Sequence, residues 1–142
     1  MTLQQYSNPD YSKESLYDLI GGEAGLLKMI KVFYDVVETD PVGQKLLLLH
    51  LRGHGVAHSR MEQFNFLSGF LGGPKLYIEK QGHSNIRKIH EHLEIDCDLK
   101  DIWLKCMSIA IDETGLTVNT KNKLMNNFTV VAERLVNNGK IN

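Results

Sequence analysis

Imidazoles, phenols and a single indole are the side chains here that can do chemistry at a buried site. Six histidines fall at positions 50, 54, 58, 83, 90 and 92, and the one tryptophan is Trp103. A neutral imidazole ligates a metal or moves a proton near neutral pH. His54 and His58 stand four apart, a helical metal-pair spacing, but His54 lies between Gly53 and Gly55, in a bend. His83 follows Gly82 in a polar turn and reads as a surface or capping residue. His92, two positions after His90, is turned about 200° around a helix and points elsewhere. Taken singly, each histidine is a surface or core residue before it is a ligand, and His90 is the strongest candidate.

Tyr34 and Gln63 add a second signal, because both fall on apolar helical stripes. Tyr34 continues the row Leu26, Leu27, Ile30, Phe33 and Val37, while Gln63 lies four before Leu67 and seven before Phe70. A buried amide or hydroxyl without a partner costs on the order of 1–3 kcal/mol. Their tips therefore reach water at a helix edge, or they converge with other polar groups in an apolar pocket, which is how ligand sites are built. No nucleophile elbow, phosphate-binding glycine loop, CxxC or HExxH is present, so hydrolase, kinase and zinc-enzyme readings have no support.

The elements that must position these residues are helical. Ser12 or Ser15 caps a short helix through Leu16, Leu19 and Ile20, ended by Gly21-Gly22. The Tyr34 helix follows and stops at Asp40-Pro41. Residues 42–58 read as the least regular stretch, with an apolar knot at Leu46 to Leu49. A helix over about 58–71 turns Phe64, Leu67, Phe70 and Leu71 inward and ends at Gly72-Gly73-Pro74. Asp96 caps a helix with the stripe Leu99, Ile102, Trp103, Cys106, Met107 and Ala110, ended by Gly115. A last helix from about Asn119 buries Leu124, Phe128, Val131 and Leu135. Strand-like alternation is absent, and the expected class is all-α.

Bulk properties bound the rest. The 142 residues suit one domain, 42% hydrophobic and 23% charged, with a formal net charge of −1. That balance offers no basic footprint for nucleic acid and no membrane partner. The polar N-terminus has no signal-peptide apolar core, so the expected address is cytoplasmic. Cys97 and Cys106 are nine apart, roughly 13 Å on one helix, beyond the ~7 Å a disulfide tolerates. Cys106 reads as a small core residue.

Taken in order, the segments LIGGEAGL, KVFYDVVETDPV, FNFLSGFLGGPKLYIEKQGH, the histidine seven after His83, and DIWLKCM resemble the truncated haemoglobins of group II, over about residues 15–137. The resemblance implies a truncated (2-on-2) globin fold at residues 15–142, behind an N-terminal extension at 1–14, enclosing haem b. It implies that His90 is the iron ligand and that Tyr34, Gln63 and Trp103 face the bound gas. His50 matches a pocket-edge position and Ser59 a small-residue position. Phe64, Leu67, Tyr77 and Arg87 complete the expected haem contacts. Ile89 departs from the family's usual arginine, which leaves Arg87 or Lys88 to pair a haem propionate. Glu91-His92 replaces an apolar-proline step, and the bend between His50 and Ser59 is longer than typical. The implied ligand is O2, with NO, CO and peroxide as others. Peroxidase-like or NO-detoxifying side activity, an electron-donating reductase and a monomer or weak homodimer are further implications. The alternatives from other classes are a non-haem helical protein whose histidines bind a metal such as zinc, and a helical interaction module without a cofactor.

Overall fold

Ser15 starts the first helix by a reciprocal cap. Its Oγ accepts from the Asp18 N–H at 3.1 Å, and the Asp18 carboxylate accepts from the Ser15 N–H at 3.4 Å. The computed structural model describes residues 14–53, 55–91 and 93–137. The expectations for His54, His92, Ser12 and the N-terminal extension up to residue 13 lie outside the described residues. Helix α1 spans Leu16–Leu19, α2 Gly22–Thr39, α3 Gln44–Arg52, α4 Val56–Phe70, α5 Leu76–Gln81, α6 Ile86–Ile89, α7 Cys97–Asp112 and α8 Val118–Leu135. No strand occurs among the described residues. None of their helices is long and apolar enough to cross a membrane.

Helix α2 buries Leu26, Ile30, Phe33, Tyr34 and Val37 of the expected stripe, and Met29 and Val36 besides. Leu27 is exposed, because it sits 100° around from Leu26 and off the buried face. The Asp40 carboxylate accepts from the Val42 N–H at 3.0 Å and opens a 3₁₀ turn at Pro41–Gly43. That turn feeds α3, an ordered helix in the stretch whose sequence is the least regular. The leucine run conceals the period: Leu46 and Leu49 face inward, whereas Leu48 and Leu51 face out. Helix α7 begins at the expected cap, where Asp96 accepts from the Leu99 N–H at 2.8 Å. It buries Leu99, Cys106, Met107 and Ala110. Both cysteines are free, and burial pushes the Cys106 thiol up to about 11, so it stays a neutral core group.

Helix α2 packs on α4 and α7, and α7 packs on α8, giving two layers of two long helices. The turn after α4 sets where that helix stops. Ser68 is fully buried and its Oγ donates to the Pro74 carbonyl at 2.6 Å, while the Gly73 N–H donates to the Ser68 carbonyl at 2.7 Å. The Tyr17 N–H donates to the Leu71 carbonyl at 2.9 Å and ties α1 to the same turn. Gly72 sits at φ +100°, where a side chain is strained. A Cβ on Gly73 would lie 2.5 Å from the Tyr17 ring. Gly73→Ala is therefore expected to lower stability by about 1–3 kcal/mol, seen as a reduced Tm with unchanged helical circular dichroism. An unchanged Tm would mean that the Tyr17 ring yields without cost.

Candidate functional site

Side chains from α2, α3, α4, α5, α6, α7 and α8 line one cavity. From α4, the row Ser59, Gln63, Phe66 and Phe70 faces it, with the 4-3-4 spacing of a single helix face. The wall is mainly aliphatic and aromatic, with Leu67, Leu93, Leu99, Phe128 and Val131 among its members. A few polar groups are set into it, and each has a definable state.

His90 caps the C-terminus of α6, and its Nδ1 lies 2.9 Å from the Ile86 carbonyl. A carbonyl only accepts, so Nδ1 carries a proton, and in the neutral ring the lone pair is then on Nε2. That is the tautomer and the orientation of a metal-ligating imidazole.

Tyr34 is buried to 1% exposure. Its ring meets Phe33 edge-on at 4.9 Å and His50 edge-on at 5.6 Å, and the Arg60 guanidinium lies 5.1 Å over its face. His50 Nδ1 is 2.9 Å from the Leu46 carbonyl, so Nδ1 donates there and Nε2 accepts from the Tyr34 hydroxyl at a long 3.5 Å. Burial lowers the His50 pKa against the raising effect of that carbonyl. Burial also drives the Tyr34 phenol well above its ordinary range, with Arg60 pulling it part of the way back. Both groups are neutral at pH 7.

Gln63 lines the cavity, and its buried Nε2 has no hydrogen-bond partner. Trp103 is held between Phe33 at 5.4 Å and Phe128 at 5.5 Å. Of the nine residues expected from the sequence, Tyr34, His50, Gln63, Leu67, Tyr77, His90 and Trp103 line this cavity.

Phe64 and Arg87 are not among the residues lining this cavity. Phe64 lies 100° around α4 from Gln63 and packs into the core, while Phe66 takes the cavity face. Arg87 is exposed and lines an outer groove, with its Nε donating to the Arg134 carbonyl at 3.3 Å. Only Ile86 and Ile89 of the α6 turn face inward. Lys100 and Glu62 also line the cavity and were missed by the sequence reading. The signal for Lys100 was its place one helical turn before Trp103.

The bacterial-like globin family profile matches residues 15–137. The group 2 truncated haemoglobin YjbI of Bacillus subtilis is 32% identical over 121 residues, which cover 85% of this chain and 87% of that protein. The chain belongs to the group II truncated haemoglobins. Its fold is similar to that of the cold-adapted truncated haemoglobin of Pseudoalteromonas haloplanktis, with a TM-score of 0.82 at 35% identity, covering 89% of this chain and all of that one. It is also similar to the group II 2-on-2 haemoglobin of Agrobacterium tumefaciens, with a TM-score of 0.81 at 28% identity, covering 89% and 96%.

A truncated haemoglobin implies a haem, and the residues present suit one. The cavity offers apolar walls for a flat macrocycle, an imidazole locked in the ligating tautomer, and a buried amide N–H₂ left without a protein partner. Among the described residues, no three of His, Cys, Asp and Glu converge as a bare metal ion would require.

Proposed function

We propose that this truncated haemoglobin binds haem b through His90 Nε2 and reversibly holds O2, with NO and CO as competing ligands. The observation that carries the reading is the unpartnered buried amide of Gln63, in the same apolar cavity as the tautomer-locked His90. An orphaned buried donor costs stability, and a ligand that accepts its hydrogen bond repays the loss. When bound, haem would supply an iron able to take an imidazole and a diatomic ligand. The protein supplies the rest. The Ile86 carbonyl holds the His90 ring and makes Nε2 more basic. The Tyr34 hydroxyl, the Gln63 amide and the Trp103 indole N–H are the donors available to a ligand carrying partial negative charge. The mainly apolar wall lowers the local dielectric and so strengthens each such bond.

Titration of the purified protein with ferric haem tests the reading. The expected result is an intense Soret band that saturates at one haem per chain, and a ferrous form that takes up O2 and releases it under reduced pressure. Absence of a Soret band after titration would overturn it in favour of a metal-binding or cofactor-free helical protein.

A further inference from the structure

Haem presents two anionic carboxylates on one edge of an otherwise apolar disc, and in a mainly apolar cavity that edge needs either water or a cation. Arginine and lysine side chains are nearly absent from this cavity wall: among its described residues the only one is Lys100. It stands on α7 one turn before Trp103, with a side chain only 18% exposed. Its ammonium group lies 3.5 Å from Asp101, whose side chain is 70% exposed. Adjacent residues on a helix do not face each other, so that pair is a weak competitor for the ammonium. Among the described residues the one carboxylate on the wall is Glu62 on α4, paired with His58 at 3.3 Å. The wall thus carries one attractive and one repulsive charge for an anionic edge, on different helices. Arg87 and Lys88, the residues suggested by the sequence, are exposed and line only the outer groove, and Arg87 Nε is held by the Arg134 carbonyl.

We propose that Lys100 pairs a haem carboxylate, so that the anionic edge of the haem lies toward α7 and away from Glu62. The proposal rests on the haem reading above and adds to it a cation that sets the orientation of the disc. Lys100 is a positioning residue, with no part in ligating iron.

The test compares haem with its dimethyl ester, in which both carboxylates are neutral and the ring is unchanged. Loss of each from the holoprotein to an excess of a haem-scavenging apoglobin is followed at the Soret band, for wild type, Lys100→Met, Lys100→Arg and Arg87→Met. Lys100→Met is expected to release haem about tenfold faster, the loss of one charge-assisted bond. Its release of the dimethyl ester should match wild type. Lys100→Arg should restore slow haem release, and Arg87→Met should keep the wild-type ratio between the two. Equal acceleration for haem and ester in Lys100→Met would overturn the proposal, since that reports lost packing. So would a collapse of the ratio in Arg87→Met instead. A wild-type protein that takes up no haem defeats the earlier reading, and is distinguishable because no Soret band appears at all.

Discussion

His90→Ala is expected to abolish tight haem uptake while leaving the helical fold in place. Loss of a partner that merely orients a ligating histidine costs roughly 10–100-fold in affinity, so removal of the imidazole itself should exceed that. The fold should survive because the segment bearing His90 is fastened elsewhere. Arg87 holds the Arg134 carbonyl, the Asn137 side chain bridges the Leu93 carbonyl and the Ile95 N–H at 2.9 and 2.8 Å, and the Asn137 N–H donates to the Ile95 carbonyl. Added imidazole should partly restore binding by filling the space left by the side chain. The readouts are the Soret titration and far-ultraviolet circular dichroism of the same sample. A wild-type five-coordinate ferrous spectrum in the variant would dismiss His90 as the ligand. His83 is a poor substitute on geometric grounds: its Nδ1 accepts from the Asn85 N–H at 3.1 Å, its ring packs on Tyr77, and it does not line the cavity.

What the sequence made legible follows the periodicity of each helix. The α2 and α7 stripes are long and lightly interrupted, so Tyr34 and Trp103 could be placed from spacing alone. Helix α4 was harder, because both of its faces are occupied. Asn65 and Ser68 are buried with the apolar residues on one side, and the mixed row from Ser59 to Phe70 faces the cavity on the other. A polar residue in that helix therefore does not mark a solvent face. The α6 turn is too short to show a period, so nothing in the spacing said which of Arg87, Lys88 and Ile89 turns inward. The Tyr34–His50 contact spans sixteen positions across the Pro41 turn, and no local pattern encodes it. Spacing made His90 the strongest of six histidines, and the family resemblance supplied its role as the iron ligand.

Replacing the polar cavity donors should speed O2 release and, at one position, strengthen the protein that carries no haem. Gln63→Leu removes a buried amide whose Nε2 has no partner. An apolar group of similar shape at such a site stabilises by roughly 1–3 kcal/mol, so the apoprotein should unfold at higher denaturant. The same change should accelerate O2 dissociation about tenfold, because one hydrogen bond to the ligand is lost. Tyr34→Phe and Trp103→Phe should each act in the same direction, and pairs of these variants should depart from additivity since the donors share one ligand. Tyr34 also carries a pH dependence. With His50 neutral, its Nε2 competes for the Tyr34 hydroxyl proton at 3.5 Å. Protonation makes Nε2 a donor to the phenol oxygen and leaves the hydroxyl proton to the ligand. Burial depresses the His50 pKa below its ordinary value of about 6.5, so the slowing of O2 release should set in only at acid pH, below that value. The sign for stability is opposite: a depressed folded-state pKa gives a contribution that is present above the ordinary value and lost as pH falls. Acid should therefore weaken the fold while tightening the ligand, and His50→Gln should remove the pH dependence of O2 release and lessen that of stability. Stopped-flow O2 dissociation across pH 5–8 reads the first effect and urea denaturation at the same pH values reads the second. Dissociation rates unchanged in all three donor variants would place these side chains outside the ligand's reach, whatever their place on the cavity wall.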